Sequence, residues 1–369
     1  MSGLRFSAAA YCQARAQLPL RLFALLRERF GTAVQRSALD EGRWQGHRTF
    51  LVDGSGCSMP DTPALQEAFG QPTEQRPGCG FPVARLLGLF HAGTGVLLKL
   101  VVAPLLTHDL AQVQKVHPML APGDVHVADR GLCSYAHLAL LVQAGVHAVL
   151  RVGARQIVDV TPGRPFVRPS VRRTPAVKGV PRSRWLKALG VHDQLVAWLK
   201  PKTCPSWLTR EALVALPETL ALREVRYDIG RPGFRTRQIS LVTTLLNAAV
   251  YRVDDLAELY RLRWQVETSL AHLKTTMQME ILHGKTVPGV LKELTVFAIV
   301  DNLVRLVMCQ SAALQRIGVE RISVVDALRW LGTPSTGVPL GALLVNPRAS
   351  ASGRAAGQEA ATQELPVHD

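Results

Sequence analysis

No stretch of the chain reaches the roughly 18–20 uncharged apolar residues needed to span a bilayer. The longest candidates, Val96 to Leu106 and Ala136 to Leu150, are interrupted by Lys99 and by His137, Gln143 and His147. A secretion signal is missing too, because the apolar run Phe6 to Cys12 is brief and lies between Arg5 and Arg15. Paired cysteines are absent: Cys12, Cys57, Cys79, Cys133, Cys204 and Cys309 are widely spaced, which excludes a disulfide framework or a zinc ribbon. His117, His126 and His137 lie near Cys133 in sequence, but their spacings suit no zinc-finger pattern. These absences predict a cytosolic protein with reduced, mostly buried thiols.

Acidic residues are scarce relative to basic ones. The chain has 43 Lys and Arg against 28 Asp and Glu, a net charge of +15 and a pI near 10.1. Such a balance favours a polyanionic partner, above all nucleic acid. Arginine is spread along the chain and not gathered into one basic run, which points to binding over a folded surface. With 369 residues and 47% hydrophobic content, the chain can bury a large core in two or three structural units.

What is present is concentrated in YRLRWQVETSLAHLK, residues 260–274. At about 100° per residue, Tyr260, Arg263, Glu267 and Lys274 fall on one side of a predicted helix, within an arc of about 60°. Leu259, Leu262, Val266, Leu270, Leu273 and Met277 form an apolar stripe beside them. A carboxylate flanked by two cations and a phenol suits metal-assisted chemistry on a polyanion. A solvated face with ion pairs along the helix is the plain structural alternative. Upstream, RTFLVDGSG reads as a strand from Thr49 to Val52 that breaks at Gly54 and leaves Asp53 where the backbone departs the sheet. DVHVADRG reads as a second short strand ending at Asp129, followed by Arg130 and a helix N-capped by Ser134.

The spacing Tyr, two residues, Arg, three residues, Glu, six residues, Lys resembles the YREK signature of bacterial insertion-sequence transposases of IS family four, of the DDE class. The Asp-Arg-Gly triplet at Asp129 resembles the second catalytic segment of that family, and the likeness runs over roughly residues 40–330. The resemblance implies metal-dependent cleavage of transposon-end DNA and strand transfer, with Asp53, Asp129 and Glu267 as both catalytic and metal-binding carboxylates. Two Mg²⁺ or Mn²⁺ ions, roughly 3.5–4 Å apart, would serve the attacking and leaving oxygens. Asp53 would bridge them, with Asp129 on one ion and Glu267 on the other. Tyr260, Arg263 and Lys274 would hold the DNA strand. The implied partners are terminal inverted repeats and target DNA, bound by a homodimer. Asp61, Asp124 and Glu258 are rival acids, read as turn, strand-leading and opposite-face residues.

The wider pattern divides the chain into a helical segment at 1–45, alternating strands and helices at 46–152, a β-rich insertion at 153–250, a helical block at 251–335 and an unpatterned tail at 336–369. Three strands, a helix, a strand, a helix and a strand at 46–152 fit an α/β fold, a ribonuclease-H-like mixed sheet, an assignment that leans also on the resemblance. Within the insertion, the turn 231–237 offers Arg235 and Arg237 to a DNA backbone, with Phe234, Trp185, Trp198 or Trp207 able to stack on a base. Only 52 residues precede Asp53, fewer than relatives carry, so a truncated element is one expectation. A non-catalytic DNA-binding remnant and a structure-specific ribonuclease-H-like nuclease are the competing functional readings.

Overall fold

The computed structural model describes residues 7–38, 42–74, 76, 80–153, 156–166, 183–229, 238–332 and 339–343. Arg235, Arg237 and Phe234 lie outside the described residues, as does nearly all of 336–369.

Nine strands form one mixed sheet: β1 Thr49–Ser58, β2 Val83–His91, β3 Leu97–Pro104, β4 Val125–Ala128, β5 His147–Arg151, β6 Arg184–Gly190, β7 Asp193–Leu199, β8 Thr219–Asp228 and β9 Gln238–Thr243. Their order is β3-β2-β1-β4-β5-β9-β8-β7-β6. β1, β4 and β5 run parallel, and every other neighbouring pair is antiparallel. Strands β6 to β9 therefore form no separate layer. β9 pairs with β5 and carries β8, β7 and β6 outward on the same sheet.

Ten helices accompany the sheet among the described residues: α1 Ala8–Gln17, α2 Leu20–Ala38, α3 Pro63–Phe69, α4 Asp109–Val113, α5 Tyr135–Gln143, α6 Arg210–Ala215, α7 Val253–Arg261, α8 Trp264–Ala271, α9 Val287–Gln315 and α10 Val324–Gly332. Two cores follow from side-chain alternation along the central strands. Phe50, Val52, Ala128 and Leu150 pack on α5, while Leu51, Val127 and Val149 pack towards α7, α8 and α9. The all-buried VHVA of β4 reflects a strand covered on both faces. Helix α9 is fixed across β3 by Asn302, which accepts from Leu97 N at 2.9 Å and donates to Leu97 O at 3.0 Å.

Three sequence expectations require correction. First, β1 does not stop at Val52. It continues to Ser58 because β2 pairs with it from Asp53↔Gly88 to Ser58↔Val83, which satisfies the backbone of Gly54 and Gly56. Second, 260–274 is not one continuous helix. Bonds from Arg263 N to Tyr260 O and from Val266 N to Arg263 O tighten the chain between α7 and α8, and α8 then widens into a π-helical turn, His272–Thr276. Third, the single helix expected between the third and fourth strands is the short α4 and a separate 3₁₀ turn at His117–Met119, with Pro118 unable to donate to a continuing helix.

Candidate functional site

The last parallel pair between β1 and β4 is Val52↔Ala128. The next residues are Asp53 and Asp129, so two carboxylates stand side by side on neighbouring strands. By alternation both project to the face bearing Leu51 and Val127, where α7 and α8 pack. A parallel pair is needed for this, because it aligns the same ends of the two strands.

The α7–α8 junction closes over them. Tyr260, buried at the end of α7, donates its hydroxyl to Asp129 Oδ1 at 3.0 Å. Arg263 donates Nη1 to Asp53 Oδ2 at 2.7 Å and Nη2 to Glu267 Oε1 at 2.8 Å. Asp53 Oδ1 accepts from the backbone N of Gly54 at 2.8 Å. Lys274 Nζ, in the π turn, reaches Ser55 Oγ at 3.3 Å. All four residues of the 260–274 pattern therefore meet β1 or β4 or one another, although the helix carrying them is broken. The tight junction and the wide π turn replace the regular 100° spacing as the device that aims them.

Burial raises the Asp53 carboxyl above its ordinary range. The Gly54 amide and Arg263 work against that, and the nearby Glu267 and Asp129 charges add to it. For Arg263, burial alone would lower the pKa. The surrounding Tyr260, Glu267, Asp53 and Asp129 reverse this and hold the guanidinium firmly charged. Burial, reinforced by the Asp129 charge, keeps the Tyr260 phenol protonated far above its usual range. The junction thus holds one cation amid three carboxylates. Among the described residues, no three His, Cys, Asp or Glu side chains are drawn into a ready-made metal cage. The oxygen-only donors Asp53, Asp129 and Glu267 nevertheless fit a hard divalent cation, and Glu267 remains 40% exposed at the mouth.

The rival acids are engaged elsewhere. Asp124 takes a fork from Arg48 at 2.7 Å, Asp61 accepts from Gln66 at 2.9 Å, and Glu258 pairs with Arg261 at 2.9 Å. Arg130 is exposed directly after Asp129. Trp198 is buried, with Nε1 donating to Glu224 at 2.9 Å, and Trp207 packs against the first core.

Sequence reading missed two arginines. Arg151 follows the pair Ala128↔Leu150, in register beside Asp129, and its charge is felt by the Tyr260 phenol. Its place at the end of the third parallel strand was the signal available. Arg85 of β2 forks onto Asp109 at 2.9 and 3.0 Å next to Gly54, and no pattern in the sequence pairs those residues. A side chain at Gly54 would press on the Asp109 carboxylate at 3.3 Å.

Comparison with known proteins adds a family. The family described as "Transposase DDE domain" matches residues 44–303. The chain is 32% identical over 108 residues to "Putative transposase InsZ" of Escherichia coli (strain K12), a match spanning 26% of this chain and 35% of that relative's length. A cryo-EM structure of the piggyBac transposase synaptic complex with hairpin DNA aligns at a TM-score of 0.39 and 11% identity, covering 81% of this chain and 57% of that one. Among the described residues, no helix is long and apolar enough to cross a membrane.

Proposed function

The chain belongs to the family of transposase DDE domains, and from that premise we propose that it cleaves transposon-end DNA and transfers the cut strand to target DNA. The observation that carries this reading is the placement of Asp53 and Asp129 on adjacent parallel strands, with Glu267 joined to Asp53 through Arg263. We read residues 46–152 and 251–335 as the two parts of a ribonuclease-H-like catalytic core and 153–250 as its β-rich insertion. Tyr260, Arg263, Glu267 and Lys274 are read as the YREK signature of IS family four.

In this reading Asp53, Asp129 and Glu267 hold Mg²⁺ or Mn²⁺. Two such ions, when bound, supply activation of the attacking oxygen and stabilisation of the leaving oxygen. The chain's own groups position the strand. Arg263 presents a fork suited to phosphate, and Lys274 and the exposed Arg130 present charges on either side of the carboxylates. Tyr260 steadies Asp129. Arg235 and Arg237 would extend the DNA path along the insertion. Two DNA ends must be joined in one event, which calls for a homodimer on DNA.

The test is cleavage of a duplex carrying the sequence that flanks the gene, with Mg²⁺ or Mn²⁺ present. Asp53→Asn, Asp129→Asn and Glu267→Gln are each expected to lower cleavage by more than about 100-fold while duplex binding persists. Cleavage that survives all three substitutions would sink the assignment. Tight end binding without cleavage by the unaltered chain would favour a DNA-binding remnant.

A further inference from the structure

The Arg263 guanidinium competes for the same oxygen atoms that a divalent cation would take. Its side chain is only 9% exposed, and it occupies Asp53 Oδ2 and Glu267 Oε1 at once. The remaining Asp53 oxygen is taken by Gly54 N and one Asp129 oxygen by Tyr260. Each of the three carboxylates acts on this one cation, Glu267 by hydrogen bond and Asp53 and Asp129 also by charge. A guanidinium forked between two carboxylates is a strong, directional pairing. It neutralises part of the negative charge that would otherwise draw a metal in.

The guanidinium is nonetheless hydrogen-bonded only at its outer end. Arg263 Nε is buried with no hydrogen-bond partner, so packing and not hydrogen bonding holds the inner part of the side chain. The rings of Tyr260 and Trp264 flank it at 5.8 and 6.0 Å, and Trp264 is 56% exposed. The carboxylates that Arg263 binds reach solvent themselves, Asp53 being 23% and Glu267 40% exposed. A phosphate arriving there offers the same bidentate acceptor as the two carboxylates.

Resting on the metal-dependent reading above, we propose that Arg263 is an internal counter-ion that keeps the carboxylates closed until a DNA phosphate draws it away. Tight cation binding then follows DNA binding. Such an order confines hydrolytic chemistry to the DNA-bound protein. Linkage requires the converse as well: Mn²⁺ raises DNA affinity by the factor by which DNA raises Mn²⁺ affinity.

The experiment titrates MnCl₂ into the full chain and follows free Mn²⁺ by electron paramagnetic resonance, with and without a duplex of arbitrary sequence. Wild type is expected to bind Mn²⁺ weakly alone and roughly tenfold or more tightly with duplex, a coupling of ordinary size. Arg263→Gln is expected to bind Mn²⁺ tightly without duplex, to gain little when duplex is added, and to lose the binding when combined with Asp53→Asn. Equal Mn²⁺ affinity of wild type and Arg263→Gln, both sensitive to Asp53→Asn, would overturn the counter-ion and leave the metal centre standing. Absence of Asp53-dependent Mn²⁺ binding in every protein, with or without duplex, would overturn both. Should Arg263→Gln fail to fold, the wild-type titration decides: an Mn²⁺ affinity indifferent to duplex rejects the proposal.

Discussion

Tyr260 shows how one hydroxyl can serve both stability and positioning. Its hydrogen bond to Asp129 is made from a buried ring to a partly exposed carboxylate, so water can replace the partner. Tyr260→Phe should therefore cost only about 0.5–1.5 kcal/mol in urea unfolding, while loosening Asp129 and lowering cleavage. A loss above about 4 kcal/mol would mean that the ring, and not the hydroxyl, is what the substitution disturbs. Arg223 poses the opposite case. It is fully buried, forks onto Asp193 at 2.7 and 2.6 Å and donates to Tyr251 O at 2.6 Å. Arg223→Met would strand the Asp193 charge, and a loss of about 3–5 kcal/mol is expected. Adding Asp193→Leu should recover most of that loss, and a double variant no more stable than the single one would refute the pairing argument. Neither partner was identifiable from sequence, since the residues lie 30 positions apart on different strands.

At the scale of elements, the site depends on how α9 is locked to the sheet it backs. Asn302 satisfies both the N–H and the C=O of Leu97, a role usually taken by another strand. Asn302→Leu would leave two buried backbone groups unpaired at a cost of about 2–6 kcal/mol, with hydrogen exchange at Leu97 rising sharply. Protection at Leu97 that stays unchanged would show that α9 is held by apolar packing alone. The elements themselves were largely legible. The order of strands and helices over 46–152 and the Ser134 cap of α5 agree with the sequence reading, because apolar strand patterns and an N-capping hydroxyl are local signals. The end of β1 was not legible, because glycines that break an isolated strand are harmless where a partner strand satisfies their backbone. The junction at Arg263 and the π turn at His272–Thr276 were likewise hidden, since both arise from packing on β1 and β4 and not from any proline or glycine within 260–276.

For the whole molecule, charge and buried histidines set opposite kinds of condition dependence. With a net charge of +15, duplex binding should fall by at least about tenfold between roughly 50 and 200 mM salt, and a flat profile would argue against a phosphate-contacting surface. His117 stacks on His137 and His126 meets His137 edge-on beside the first core, with centroids 5.2 and 5.1 Å apart. Burial pushes His117 down to about 4 and His137 down to about 3, and it holds His126 well below its ordinary value. At these three positions the unfolded chain therefore binds more protons than the folded one below pH 6.5, so their contribution to stability falls as pH drops through that window. Each fully buried histidine should contribute on the order of 1.4 kcal/mol per pH unit. Asp301, raised to about 6 by burial, acts in the reverse sense between 3.8 and 6, as do the raised Asp53 and Glu224, while His91, His147 and His272 are lowered by burial and act with the three histidines. His126 has no partner on either ring nitrogen, so His126→Leu should flatten the acid side of the stability profile without lowering stability at neutral pH. A steeper acid loss in that variant would contradict the assignment. Sequence alone pointed to a polyanionic partner, singled out Asp53, Asp129 and Glu267 as candidate carboxylates and gave the alternation of a mixed α/β sheet, because charge balance, strand ends and motif spacing are written locally. Only the tertiary structure decided that Asp53 and Asp129 are neighbours, that the strands within 184–243 extend the same sheet, that three separated histidines meet, and that Arg263 stands between the carboxylates. Those outcomes depend on strand register and on packing between residues as much as 210 positions apart, which no local pattern encodes.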